Sequence, residues 1–336
     1  MNFINLYKVK YFLKTILQIL LYPLVYLINF HLEKKNIFFL FSKAVSLGDN
    51  VVVTGLISQI KTKTNCKIVL FSKLIEVFEN NPNIHSIIDL NKKNYLFYIL
   101  LLLQGKRVVE FNIDTYPYVD IFELLKKTSN KNYSKNYSKH LSEVSAPENI
   151  SKYIDFNKFK NEIFLSNSEV EKFNIKYKNI LKDKFSIVLP HSKNTFTPVR
   201  GWGYDNYQQL VNSLNLNWCQ SGTINEDVLD NVINLNDNST IRDLFFLVKN
   251  SSFVISNDGS LNHIANCFDV TSFVIMSGFT NSKFIEYKNS IIISREPQIE
   301  CAPCYLKEPC HRERKFCTED ISVEMVKKII LENLNK

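Results

Sequence analysis

Residues 253–276 read FVISNDGSLNHIANCFDVTSFVIM. Phe253–Asn257 opens with a short apolar run rich in strand-forming residues, the mark of a buried strand. Asp258-Gly259-Ser260 interrupts it with turn chemistry. Leu261–Cys267 then spaces its apolar residues for a short helix, and Ser272–Met276 returns to strand. Strand, glycine loop, helix and second strand make a βαβ unit, whose strands run parallel.

The same rhythm continues in both directions. Phe185–Pro190 and Leu216–Gln220 read as strands, and Tyr204–Leu214 and Thr240–Lys249 as helices. The last of these begins Thr-x-x-Asp, a capping box in form. Val323–Leu334 closes the chain as an amphipathic helix. An earlier series places strands at Ile37–Phe41, Lys67–Phe71, Ile84–Asp89 and Arg107–Phe111, with helices over Asn50–Ile60, Leu74–Glu79 and Tyr95–Leu103. Residues 128–150 separate the two series. They are polar and basic, carry a tandem NYSK repeat, and read as a loop. The divisions expected are an apolar helical segment over 1–35, an α/β unit over 36–127, a basic polar linker over 128–165, a second α/β unit over 166–321 and a terminal helix over 322–336. Open α/β sheets bind ligands beyond the carboxyl ends of their strands, so both units should turn strand-to-helix loops toward one cleft.

Composition narrows the class. A length of 336 residues suits two domains, and 45% apolar with 22% charged residues excludes wholesale disorder. Only 8 glycines occur where about 24 are usual, so glycine-rich repeats and collagen are excluded. Five of them (Gly48, Gly201, Gly203, Gly259 and Gly278) fall at the strand–helix junctions. The net charge of +8 is uneven. Lysines 8, 10, 14, 34, 35 and 43 face only Glu33 in the first 43 residues, and lysines 126, 127, 131, 135 and 139 have no acid among residues 126–140. Two basic patches on a near-neutral body suit an anionic surface. Zinc-finger spacing, a basic zipper and a ribonucleoprotein signature are all absent, so no nucleic-acid partner is expected.

Residues 11–30, YFLKTILQILLYPLVYLINF, are long enough to span a bilayer but are interrupted by Lys14, Gln18 and Pro23. They have no small-residue cleavage site, which argues against a signal peptide. A helix lying in the headgroup region is the favoured reading, ahead of a helix packed on the protein's own body and of a true span.

Three junctions could carry chemistry. Ser46-Leu47-Gly48-Asp49 puts a glycine and a carboxylate at a helix start, where the plainer reading is an N-cap aspartate. Pro190-His191-Ser192 with Arg200-Gly201-Trp202-Gly203-Tyr204 could clamp phosphate through the arginine fork, the alternative being a surface arginine beside a core tryptophan. Asp258-Gly259-Ser260-Leu261 offers backbone N–H groups at a helix start, an anion site, with His263 a turn further on. A lone histidine there is more often structural.

Together these stretches resemble glycosyltransferase family 9, the heptosyltransferases of lipopolysaccharide core assembly. SLGDNVVVTGLISQIK resembles the family's opening signature, HSKNTFTPVRGWGYDNYQQL its basic-x-Trp segment, and VISNDGSLNHIANCFDVTSFVIMSG its sugar-nucleotide segment. The CAPC…C…C tail and final helix are similar too, so the likeness covers roughly residues 36–335 in order. It implies two Rossmann-like domains in the GT-B arrangement, the first for acceptor and the second for sugar nucleotide. It also implies an inverting, metal-independent transferase with no cofactor, and the basic, apolar N-terminal segment adds the expectation of a monomer on the cytoplasmic face of the membrane. Its partners would be a nucleotide-sugar donor, a lipid-linked glycan acceptor and an anionic membrane surface. By motif position Asp49 is the catalytic base, and Gly48, His191, Ser192, Arg200, Asp258, Gly259, Ser260, Leu261 and His263 bind donor or its phosphates. Two departures concern the donor's identity: Gly203 stands where proline is usual, and Asp-Gly-Ser replaces Asp-Ser-Gly. No Asp-x-Asp occurs in the chain, which agrees with a metal-free reaction. A non-catalytic sugar-nucleotide binding module and a nucleotide-sugar epimerase are the alternatives.

Seven cysteines remain to be placed. Cys66, Cys219 and Cys267 read as core residues. Cys301, Cys304, Cys310 and Cys317 are spaced C-x2-C-x5-C-x6-C, which fits a paired zinc ribbon poorly, and reduced structural thiols are favoured over zinc or a disulfide. An odd total with no cleavable signal points to a reducing compartment.

Overall fold

A computed structural model describes residues 22–42, 44, 46–92, 108–111, 159–192, 197–223, 225–236, 239–282, 285–295, 299–306 and 308–334. The expected helix at Tyr95–Leu103, the basic stretch 128–150 and residues 11–21 lie outside them.

Helix α1 (Tyr22–Lys34) leads into β1 (Ile37–Ser42), α2 (Leu47–Thr64), β2 (Lys67–Ser72), β3 (Ile84–Asp89) and β4 (Val108–Phe111). These strands form one parallel sheet in the order β3-β2-β1-β4. After α3 (Asn167–Lys176) come β5 (Phe185–Leu189), α4 (Tyr204–Ser213), β6 (Asn217–Gln220), β7 (Val232–Asn234), α5 (Ile241–Asn250), β8 (Phe253–Asn257), α6 (Ser260–Cys267), β9 (Thr271–Ile275) and β10 (Ser290–Ile293). The second sheet is also parallel, in the order β10-β9-β8-β5-β6-β7, and α7 (Phe316–Glu319) and α8 (Val323–Leu334) end the chain. The architecture is the α/β GT-B type, two Rossmann-like sheets with their strand-to-helix loops turned to one another.

Several elements differ from the sequence reading. Helix α2 starts three residues earlier, because the Ser46 hydroxyl accepts the Asp49 N–H at 3.1 Å and closes the first turn at once. The expected helix at Leu74–Glu79 is only a 3₁₀ turn over Ile75–Val77, too short to repay helix nucleation. The strands β7 and β10 and the helices α3 and α7 were not read from the sequence. Strand β7 is three residues on a sheet edge with a half-exposed pattern, so it lacks a periodic signal.

Helix α2 is unusual in being buried on every side: Val51 through Ile57 are all inaccessible. Such a helix belongs between layers rather than on a surface. Its Val51-Val52-Val53 run is a poor helix former alone, so packing holds it helical. One hydrophobic cluster runs from Phe38, Leu56 and Phe78 in the first half to Phe245, Leu261 and Ile264 in the second. The two halves therefore share a core where α2 meets α6. A second cluster, Trp202, Tyr207, Trp218, Phe253, Phe273 and Val326 among its members, seats α4 and α8 on the far face of the second sheet. A third joins Leu32 of α1 to Phe41 and Phe71.

Candidate active site

The site is assembled from loops at the carboxyl ends of β1, β5 and β8. Asn50 fixes the first. Its amide donates to the carbonyls of Ala44 (3.0 Å) and Ser46 (2.8 Å), and its Oδ1 accepts from Ser42 (3.1 Å) and Ser72 (3.2 Å). All its capacity is used, and the loop is stapled to two strand ends just where Asp49 starts the helix. Asp49 lies in the first turn, where the dipole favours its ionised form. The sequence reading passed over Asn50, whose only signal was a polar residue leading an apolar helix.

Asn257 performs the matching task in the second half. It donates to Pro190 O at 3.0 Å and accepts the Trp202 N–H at 2.9 Å, joining the β5 and β8 loops. Trp202 is core, its indole N–H bonding Ile321 O at 2.7 Å. The arginine two residues before it is not a free surface residue. Arg200 forms a short ion pair with Asp258, and its guanidinium lies 5.7 Å from the centre of the Phe279 ring. Gly203 has φ +112, which proline's ring forbids, so the backbone that starts α4 has no place for proline there.

Helix α6 begins at Gly259 with no side-chain cap. Leu261 is fully buried by its side chain, so only its N–H could serve a ligand. Ser192 lies against Gly201, where an added Cβ would come 3.3 Å from its hydroxyl oxygen. His191 is tied elsewhere: its Nε2 lies 2.8 Å from Asp227 O and its ring packs near Tyr204.

The two halves touch at Gly48. A Cβ there would fall 2.8 Å from His263 Cδ2 and 3.3 Å from the Ser260 Cα. Only glycine lets the N-termini of α2 and α6 approach this closely. The first turn of α2, which carries Asp49, is thereby set against Ser260 and His263, and the Arg200–Asp258 pair adjoins Gly259 where the two positive helix ends meet.

Segment 301–306 walls the second half of the site. Cys304 and Tyr305 donate to Gly278 O (2.8 Å) and Phe279 O (3.0 Å), and Thr197 bonds Leu306 O at 2.6 Å. All seven cysteines are free thiols, and burial raises the Cys304 pKa. Among the described residues no group of three or more His, Cys, Asp or Glu is placed to hold a metal ion.

No family model and no curated protein matches the sequence. Solved structures do match in fold. The chain is similar to the glycosyl transferase family 9 from Veillonella parvula at 15% identity, with a TM-score of 0.61 over 88% of this chain and 96% of that one. It is similar to the ADP-heptose lps heptosyltransferase II of E. coli at 11% identity, TM-score 0.61, over 88% and 98%. A third likeness is to the iron-containing dodecameric glycosyltransferase TibC of enterotoxigenic E. coli, at 13% identity and TM-score 0.61, over 90% and 76%. The fold that the sequence motifs implied is the fold these proteins share.

Proposed function

We propose that the chain is an inverting glycosyltransferase of the family 9 type. It moves a heptose-like sugar from an ADP-sugar or other nucleotide-activated sugar to a lipopolysaccharide-core or related surface-glycan acceptor. The observation that carries this reading is the meeting of two helix N-termini at Gly48, one bearing the Asp49 carboxylate and the other left uncapped. The acceptor hydroxyl attacks the anomeric carbon opposite the leaving diphosphate. The new C–O bond forms as the anomeric C–O bond to phosphate breaks, and the electron pair leaves with the diphosphate oxygen. Asp49 takes the hydroxyl proton. The N–H groups at the start of α6 and the Arg200 guanidinium stabilise the developing charge, so the reaction needs neither metal nor cofactor in this reading. Asp258 already neutralises part of the Arg200 charge, which leaves the larger share to the backbone N–H groups.

Residence on the anionic cytoplasmic face of the membrane, as a monomer, belongs to the same reading. Leu24 (47% exposed), Tyr26 (63%), Leu27 (62%) and Phe30 (60%) cover the outer side of α1, with Lys34 and Lys35 at its end. Among the described residues no helix is long and apolar enough to cross a membrane. Leu27→Glu with Phe30→Glu should abolish binding to anionic vesicles without touching Leu32, which holds the helix to the sheet.

The donor is tested by thermal shift against ADP-, GDP- and UDP-sugars. At a hundredfold excess over Kd a true donor adds about 2.7 kcal/mol of stability. Transfer with inverted anomeric configuration is the expected product. A protein that no sugar nucleotide stabilises is not this enzyme.

A further inference from the structure

His263 faces the Asp49 helix, and a buried pair behind it decides which of its nitrogens carries the proton. Its Nδ1 lies 2.6 Å from the hydroxyl of Tyr287, whose ring meets the imidazole edge-on at 5.7 Å. Both residues are buried, His263 at 5% and Tyr287 at 7% exposure. The same hydroxyl oxygen accepts the amide of Asn161 at 3.0 Å. Asn161 is itself inaccessible and comes from the segment that joins the two halves.

A phenol has one proton to give. The Asn161 amide already donates to its oxygen, and His263 Nδ1 is an acceptor within reach of that proton. Burial holds the Tyr287 pKa well above the ordinary tyrosine value, against the opposing Asn161 hydrogen bond. The nearby Cys267, Asp258 and Asp49 push it the same way as burial. The hydroxyl therefore keeps its proton, and can donate it, throughout the working pH range. A histidine that accepts at Nδ1 is neutral and carries its proton on Nε2. That nitrogen is the one turned to α2: a Cβ on Gly48 would lie 3.4 Å from it.

We infer that Tyr287, held by Asn161, is a positioning residue that fixes His263 as the Nε2–H tautomer and so presents a neutral N–H donor to the Asp49 end of the site. The inference rests on the transferase reading for its consequence in catalysis, though not for the tautomer. A neutral donor suits a site with a general base. An imidazolium at this point would pair with Asp49 and hold down its basicity, while the other tautomer would offer Asp49 only a lone pair. Tyr287 touches no reacting atom; it acts through His263.

Nitrogen-15 spectra of ring-labelled histidine test the tautomer directly, with the His263 signal identified by its loss in His263→Gln. Near neutral pH the wild-type ring should show a protonated Nε2 and a bare Nδ1. A protonated Nδ1 in the wild-type spectrum overturns the inference without any variant. Tyr287→Phe should mix the tautomers and lower kcat for sugar transfer about tenfold, with donor KM changed less than twofold. In the His263→Gln background, where the amide supplies its own donor, Tyr287→Phe should cost almost nothing further. Fully additive losses, or an unchanged tautomer in Tyr287→Phe, would show that Tyr287 only fills space. A tautomer that shifts in a protein without transferase activity leaves this inference standing and removes the transferase reading instead.

Discussion

The two helices that meet at Gly48 begin in opposite ways. Helix α2 is closed by its own side chains: Ser46 caps it and Asp49 brings a negative charge to its first turn. Helix α6 opens at a glycine with no side-chain cap at all. Away from the cleft, α3 and α5 carry complete capping boxes, Ser166 with Glu169 and Thr240 with Asp243. These two starts are thus satisfied internally. Helix α6 starts bare at the cleft, where an incoming anion can do what a cap does elsewhere. At the cleft α2 brings its own carboxylate, which suits chemistry, and α6 leaves its N–H groups to a ligand, which suits binding.

The comparison breaks most visibly at its charged member. Asp49→Asn should keep the fold and the affinity for nucleoside diphosphate while transfer falls by about two orders of magnitude or more. Wild-type turnover in that variant would reduce Asp49 to a capping residue. Next comes the pair beside the bare end. Arg200→Ala should weaken nucleoside diphosphate binding by about 2 kcal/mol, measured by calorimetry. Part of that loss is Asp258 left buried and unpaired, so adding Asp258→Asn should recover some affinity; no recovery would mean that the arginine acts on the ligand alone.

A sharper test equalises the two ends. Gly259 has an extended backbone, and an added Cβ there meets nothing nearer than 3.7 Å, so Gly259→Asp fits without strain. It should give α6 a cap of its own, adding a few tenths of a kcal/mol of stability while lowering diphosphate affinity about tenfold. Tighter binding in this variant would contradict the idea that ligand and cap compete. The smallest effect belongs to a fully capped end. Burial alone would raise the Glu169 pKa, but hydrogen bonds from Arg242 and Ser166 bring it down to about 2 from 4.5. A depressed carboxylate stabilises the fold above its unfolded value and loses that contribution as pH falls. Glu169→Gln should therefore flatten the pH dependence of melting between about pH 4.5 and 2, lower stability at neutral pH because Arg242 loses this ion pair, and leave transfer by the folded protein unchanged.

Much of this was legible because glycine is so scarce. Gly48, Gly201, Gly203 and Gly259 mark the loops of the candidate site in the sequence itself. Gly48 and Gly203 proved to need glycine for different reasons, a close helix approach in one and a positive φ in the other. Apolar runs such as Phe253–Asn257 gave the central strands, since a strand covered on both faces has no polar alternation to blur it. The polar staples stayed hidden. Asn161 and Tyr287 act across 126 residues, which no local window contains, and Asn50 reaches Ser72 across 22. The ion pair of Arg200 with Asp258 spans 58 residues, so two motifs that were read separately turned out to be one unit.

Arg242 shows what such separations mean for how the chain reaches its final form. Its guanidinium is buried between both halves and their connector, on Glu76 O at 3.0 Å, Phe164 O at 2.6 Å and Glu169 Oε1 at 2.8 Å. These contacts close loops of 166, 78 and 73 residues. Loop closure carries its entropy cost before the contact gives anything back, and a guanidinium cannot be buried with its partners missing. Each half must therefore be near its final shape before Arg242 can settle. The joint is thus expected to be among the last parts of the fold to close, so that Arg242→Ala speeds unfolding more than it slows folding.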